Sequence, residues 1–124
     1  MPEPTVAIPI RNGGRLLERT LAALARQTVS HELLVCDSGS TDDSAQLALT
    51  HGARVLTIAP SQFSHGGTRN LLMEHSHGAH VAFLTQDAEP AGERWLQCLL
   101  GGFELGDEVA ETTGRAATTL TEVL

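Results

Sequence analysis

The chain has 124 residues, 41% hydrophobic and 19% charged, which suits one globular domain able to bury about two-thirds of its unfolded surface. Its formal net charge of -7, with eight cations that are all Arg, argues against a nucleic-acid surface, so an anionic ligand needs a local positive site or a metal. No apolar run approaches bilayer length and no secretory leader opens the chain, so a cytoplasmic protein is expected, with peripheral membrane association through other segments left open.

Thr5 to Ile10 is β-branched and apolar and predicts a buried strand that Pro9 ends or bends. Arg11 to Gly14 follows as a loop. From Arg15 to about Gln27, Leu16, Leu17, Thr20, Leu21, Leu24 and Ala25 recur at helical spacing. Glu32 to Asp37 is a second buried strand ending on an acid. The turn-forming run Ser38 to Asp43 leads to a short helix through Ala45, Leu47, Ala48 and Leu49, which Gly52 terminates. Asp42 and Asp43 read as acids favoured by the dipole at a helix start. Ala53 to Ile58 predicts a third strand, closed by Pro60. Ser61 to Asn70 is a loop leading into a helix with Leu71, Leu72 and Met73. Gly66 and Gly67 allow close backbone approach there, and the helix start offers N–H groups to an anion such as a diphosphate. His65 either bonds a phosphate or simply closes the loop.

Val81 to Leu84 is a continuous apolar run that fits a strand buried on both faces, and Pro90 forbids its continuation. Asp87 then sits at a strand's carboxyl end, the edge where open α/β sheets bind ligands. It is placed to hold a metal or a ligand, or is a plain loop acid, and Glu89 has the same two readings. Glu93 to Phe103 predicts a helix with Trp95, Leu96, Leu99, Leu100 and Phe103 on its apolar side. Val109 to Arg115 is a poorer fifth strand, and residues 116–124 show no clear period. Cys36 and Cys98 lie in apolar elements without metal-ligand spacing and read as buried free thiols of a reducing compartment. In His75-Ser76-His77-Gly78-Ala79-His80, Ala79 stands where a dinuclear metal motif needs Asp, so these histidines read as exposed at a helix end. Hydrolase and dinucleotide readings fail for want of Gly-x-Ser-x-Gly and Gly-x-Gly-x-x-Gly. Alternating strands and helices call for a parallel, doubly wound sheet, which lines up Arg11, Asp37 and Asp87 along one edge.

Four motifs carry a resemblance: Thr-Val-Ala-Ile-Pro-Ile-Arg-Asn at 5–12, Glu-Leu-Leu-Val-Cys-Asp-Ser-Gly-Ser-Thr-Asp-Asp at 32–43, Thr-Arg-Asn at 68–70 and Leu-Thr-Gln-Asp at 84–87. In order and spacing they resemble the family-2 glycosyltransferases of GT-A fold. The runs Phe63 to Asn70 and Phe83 to Ala88 resemble the rhamnosyltransferase-like branch in particular. The resemblance implies that residues 1–115 are the nucleotide-sugar-binding half of such a domain, with 116–124 an irregular or truncated tail. It further implies that Pro9, Arg11, Asp37, Arg69, Asn70 and Gln86 bind the nucleotide of a donor such as dTDP-rhamnose, and that Asp87 holds Mg²⁺ or Mn²⁺ on the diphosphate. The implied reaction is an inverting sugar transfer to a hydroxyl of a glycan or lipid-linked acceptor, a growing surface polysaccharide by analogy. Ser38 and Gln86 stand where many members carry a second Asp, which the rhamnosyltransferase-like branch tolerates. The catalytic base is expected beyond Leu124, so no catalytic residue is assigned within the chain. The alternative is a catalytically inactive nucleotide-binding or protein-interaction remnant of the same fold.

Overall fold

The strand Thr5–Ile10, β1, turns Val6, Ile8 and Ile10 to one face and Ala7 to the other, and both faces are buried. Around it, a computed structural model describes residues 3–78, 80–104, 110–112 and 118–121. In chain order follow α1 (Gly14–Ala25), β2 (Glu32–Asp37), α2 (Ser44–Thr50), β3 (Arg54–Thr57), α3 (His65–His75), β4 (His80–Phe83), α4 (Trp95–Glu104), β5 (Ala110–Thr112) and β6 (Thr118–Thr121). The sheet order is β3-β2-β1-β4-β6-β5, parallel except for the β5–β6 pair. Thr118–Thr121 is thus a strand in a stretch whose sequence shows no clear period; its register on β4 is set by pairing across the sheet. Of the predicted fifth strand, Val109 and residues 113–115 lie outside the described residues, as do 116, 117 and 122–124 of the tail.

Strand alternation divides the core in two. Leu33, Val35, Ala82 and Leu84 join Val6, Ile8 and Ile10 under Leu17, Leu21 and Leu24 of α1, Ala48 of α2 and Leu96 of α4. Leu34, Cys36, Val81 and Phe83 join Ala7 under Leu72 and Met73 of α3. Helices therefore cover both faces, as parallel crossovers require.

Several boundaries differ from the sequence reading. β1 has the expected bounds, Thr5–Ile10, and Pro9 does not end it: its pairing with β4 ends at Ala7 opposite Phe83, so the N–H that proline lacks falls where no ladder partner stands. Leu16 is 53% exposed, outside the buried stripe of Leu17, Thr20, Leu21 and Leu24. α1 ends at Ala25, because Gln27 leaves it to accept the Leu96 N–H at 3.0 Å and donate to the Gly92 carbonyl at 2.7 Å, supplying polar partners at the start of α4. Trp95 is partly buried against the core, with its indole nitrogen buried and unbonded among the described residues. Cys36 is buried, and burial followed by the Asp37 charge raises its thiol pKa; Cys98 is exposed, contrary to expectation.

The lower end of the sheet is tied by Glu32. Its carboxylate accepts from the Thr5 hydroxyl (2.8 Å), the His77 N–H (3.0 Å) and Arg54 (2.6 Å), while Arg54 also donates to the His75 carbonyl at 2.9 Å. His75 and His77 are exposed at the helix end, and no group of three potential metal ligands occurs among the described residues. Burial alone would raise the Glu32 pKa; the His77 N–H, the Thr5 hydroxyl and Arg54 outweigh it and hold it below the ordinary 4.5. A depressed carboxylate stabilises the fold above its unfolded pKa and loses that contribution as pH falls through the folded value. Thermal melts should therefore show stability declining below pH 4.5. Glu32→Gln should flatten that acid slope and cost about 1–2 kcal/mol at neutral pH, the worth of bonds to a charged group. An unchanged slope would remove Glu32 from this role.

Candidate functional site

β1 is flanked by β2 on one side and β4 on the other, so the chain leaves it in opposite directions and a crevice opens at the carboxyl ends of β1 and β4. An open cavity of about 340 Å³ lies there. Pro9, Ile10 and Arg11 come to it from β1 and its end, Ser38 from the end of β2, Phe63 and His65 from the approach to α3, and Thr85, Gln86 and Asp87 from the end of β4.

Gln86 closes the crevice floor. Ala7, Pro9 and Arg11 present their backbone groups to the β4 edge, and β4 pairs only as far as Ala7. The Gln86 carboxamide takes over: its Oε1 accepts from the Arg11 N–H at 2.8 Å and its Nε2 donates to the Arg11 carbonyl at 3.0 Å. One side chain thus supplies both partners that a strand would have supplied. A side-chain carbon at Gly13 would stand 2.9 Å from Gln86 Oε1 and 2.6 Å from Leu17 Cβ, so glycine is needed there for the close approach.

Asn12 joins the first two loops. With φ at 47°, it directs its Oδ1 to the N–H of Thr41 (2.7 Å) and of Asp42 (3.3 Å), and its own N–H donates to Ser40 Oγ at 2.9 Å. Ser40 in turn donates to Asp37 Oδ1 from its N–H (3.1 Å) and its hydroxyl (2.5 Å). Asp37 is 6% exposed, and both of these bonds fall on one oxygen. Ser44 accepts the Gly13 N–H at 2.9 Å, and its hydroxyl and N–H hold Asp42 below the ordinary carboxylate pKa. Asp42 thus helps to close the loop before α2.

The seven residues singled out from sequence do not all converge. Pro9, Arg11, Gln86 and Asp87 line the cavity; Asp37 lies just behind Ser38. α3 begins at His65, where the sequence suggests a loop as far as Asn70, because the Ser64 hydroxyl caps it by accepting the Gly67 N–H at 3.0 Å. Arg69 and Asn70 are therefore successive helical residues pointing about 100° apart. The Arg69 guanidinium lies 4.6 Å from the Phe83 ring centroid, and Asn70 is exposed; neither lines the cavity. Asp87 is exposed on a turn closed by the Ala88 N–H on the Thr85 carbonyl at 3.1 Å. Glu89 is turned to Arg19, at 3.0 Å. Sequence reasoning gave Phe63 and Thr85 no role of their own and left Asn12 within a motif; the signal for Asn12 is a polar residue just before Gly13-Gly14, a position that tolerates positive φ.

The model of the family described as Glycosyl transferase family 2 matches residues 5–119. The O-antigen chain rhamnosyltransferase WbaN of Salmonella anatum is 36% identical over 118 residues, covering 93% of this chain and 37% of its own. The O-antigen chain rhamnosyltransferase RfbN of Salmonella typhimurium is 41% identical over 87 residues, covering 68% of this chain and 28% of its own. This chain thus spans about a third of the length of those relatives. Among solved structures, Staphylococcus aureus TarS 1-349 matches with a TM-score of 0.74 at 22% identity, over 83% of this chain and 32% of that one. Glucosyl-3-phosphoglycerate synthase from Mycobacterium tuberculosis, in complex with Mn²⁺, uridine-diphosphate and glucosyl-3-phosphoglycerate, matches at 0.68 and 26%, over 86% and 41%.

The Gln86 bridge makes a charge-sensitive prediction. Gln86→Glu keeps the acceptor for the Arg11 N–H but sets a carboxylate oxygen against the Arg11 carbonyl, at a cost of about 1–3 kcal/mol at neutral pH. The ionised form is disfavoured in the fold, so the folded pKa of the introduced carboxyl rises and the deficit relative to wild type shrinks as acid restores the O–H donor. Parallel melts of the two proteins from pH 8 to pH 4 should show the gap closing; a constant gap would discount the bridge.

Proposed function

This chain belongs to glycosyl transferase family 2 and has the GT-A fold, and from that premise we propose that it is the donor-binding part of an enzyme transferring a sugar, rhamnose or one like it, from a nucleoside-diphosphate donor to a hydroxyl acceptor. The observation that carries the reading is the convergence of Pro9, Arg11, Gln86 and Asp87 on one cavity at the break in strand order. The donor's base lies towards β2, where Asp37 accepts its N–H, and the ribose rests against Pro9 and Arg11. The diphosphate extends towards Asp87. Gln86 acts on the nucleotide by holding the Arg11 backbone in place. Arg69, half-exposed above Phe83, adds positive potential in a chain of net charge -7, and Asn70 adds a polar group on the same helix.

The residues fit a shared divalent cation. A hard cation of this kind takes oxygen ligands and is held by one or two carboxylates together with substrate phosphates. Asp87 offers one exposed carboxylate, and no closed cage of three protein ligands exists among the described residues. Asp87 would therefore hold Mg²⁺ or Mn²⁺ jointly with the diphosphate; the Mycobacterium synthase in complex with Mn²⁺ and uridine-diphosphate supports the choice. When bound, the cation offsets the charge on the departing nucleoside diphosphate.

In the transfer, the acceptor oxygen bonds to the anomeric carbon as the bond to the diphosphate breaks, and the acceptor's proton passes to a base. Asp87 is the one acid lining the cavity among the described residues and is committed to the cation, so no described residue is assigned as that base. The acceptor is a glycan or lipid-linked hydroxyl by likeness to the O-antigen enzymes. The free thiols Cys36 and Cys98 suit a cytoplasmic site of action, and no described helix is long and apolar enough to cross a membrane. Calorimetric titration of dTDP and UDP with and without Mn²⁺ tests the reading. Binding should require the metal and weaken at least ten-fold in Asp87→Asn, in line with the loss of a charged ligand. A folded chain that binds neither nucleotide would overturn it in favour of an inactive remnant.

A further inference from the structure

Phe63 is 38% exposed and lines the cavity, whereas the other described large hydrophobics of high exposure, Leu16 and Leu49, do not. A phenyl ring left partly in water at a cavity wall has apolar area still to bury. Its position is fixed on both sides. The Phe63 N–H donates to the Pro60 carbonyl at 3.2 Å, and the turn before it is closed by the Gln62 N–H on the Ala59 carbonyl (2.9 Å) and the Ala59 N–H on Gln62 Oε1 (2.8 Å). Pro60 is wedged against Gly39, whose φ is +95° and where an added Cβ would stand 2.5 Å from Pro60 Cγ. Ser64, the next residue, is the cap of α3, and His65 meets the Phe63 ring edge-to-face at 5.2 Å and 76°. The backbone that carries the ring is set before any ligand arrives, which lowers the cost of using it.

Strand order says which part of a donor it meets. Asp87 follows β4, Asp37 ends β2, and Phe63 follows β3 on the far side of β2, so Phe63 belongs to the base end of the cavity and Asp87 to the diphosphate end. Thymine and uracil present the same N–H to Asp37 and differ by one methyl group at carbon 5. A carboxylate cannot separate them; an apolar wall can. We propose that Phe63 is a specificity residue that favours a thymidine over a uridine diphosphate by packing against that methyl group. This rests on the donor-site reading given above.

Calorimetry with dTDP, dUDP and UDP in Mn²⁺ isolates the effect, because dTDP and dUDP differ in the methyl alone and UDP adds the 2′-hydroxyl. Wild type should bind dTDP about four-fold more tightly than dUDP, the worth of one buried methyl-sized group. Phe63→Ala should bring that ratio to about one, and Phe63→Leu should retain most of it. A ratio of one in wild type, or a preference that survives in folded Phe63→Ala, overturns the Phe63 assignment and leaves the donor site standing. Failure of all three nucleotides to bind wild type overturns both.

Discussion

The structure depends on β1 being paired on both edges by strands that reach it from opposite directions. Parallel pairing with β2 and β4 buries all of β1 but the partly exposed Pro9 and makes it the axis from which the polypeptide winds both ways. The crevice is a geometric consequence: α1 and the loop before it lead towards β2, the turn after β4 leads away, and the space between their ends cannot be filled by either crossover. Position in the topology, rather than any unusual residue, puts Arg11 and Asp87 on one cavity although 76 positions separate them in sequence.

Such a crevice exposes backbone groups that lack ladder partners, and short polar side chains satisfy them. Gln86 stands in for β4 along Arg11, Asn12 gathers the N–H groups of Thr41 and Asp42, Ser40 ties Asn12 to Asp37, and Ser44 takes the Gly13 N–H. Each bond is worth little by itself against water, but an unmade one in a half-buried loop would cost more than it gains when made. The network fixes the backbone on which a ligand would rest. Along β1 and its loop it uses the carboxamides of Gln86 and Asn12 and the hydroxyls of Ser40 and Ser44, and its carboxylates, Asp37 and Asp42, lie on the β2 side, off the cavity lining. Gln86 in place of a second Asp is consistent with both needs: it has the reach and the donor that Asp lacks. The far end of the sheet is secured differently, by the charged cluster of Glu32, Arg54 and the His77 N–H, where no ligand has to be admitted.

Much of this was legible in the residues themselves. The runs Thr5 to Ile10, Glu32 to Asp37 and Val81 to Leu84 announce buried parallel strands because both faces must be apolar, and they fall on β1, β2 and, one residue late, β4. Family membership was equally readable, since four short motifs in fixed order constrain one another. Local pattern could not tell that Leu16 and Cys98 face outward, because an apolar residue at a helix stripe's edge is buried or not according to what packs there. Nor could it find β6, whose Thr-rich sequence becomes a strand through pairing with β4.

At the site the same division holds. Sequence by itself determined the fold class and the strand ends that deliver Arg11, Asp37 and Asp87, because those follow from hydrophobic period and local turn chemistry; the family was legible only as a resemblance carried by four motifs. Tertiary structure alone decided which groups share the cavity: it seated Gln86 on the Arg11 backbone, drew Arg69 onto Phe83 through an early helix start at Ser64, and brought Phe63 to the cavity wall. Those outcomes depend on contacts between residues 14 to 75 positions apart, and no window of sequence carries the distances that fix them.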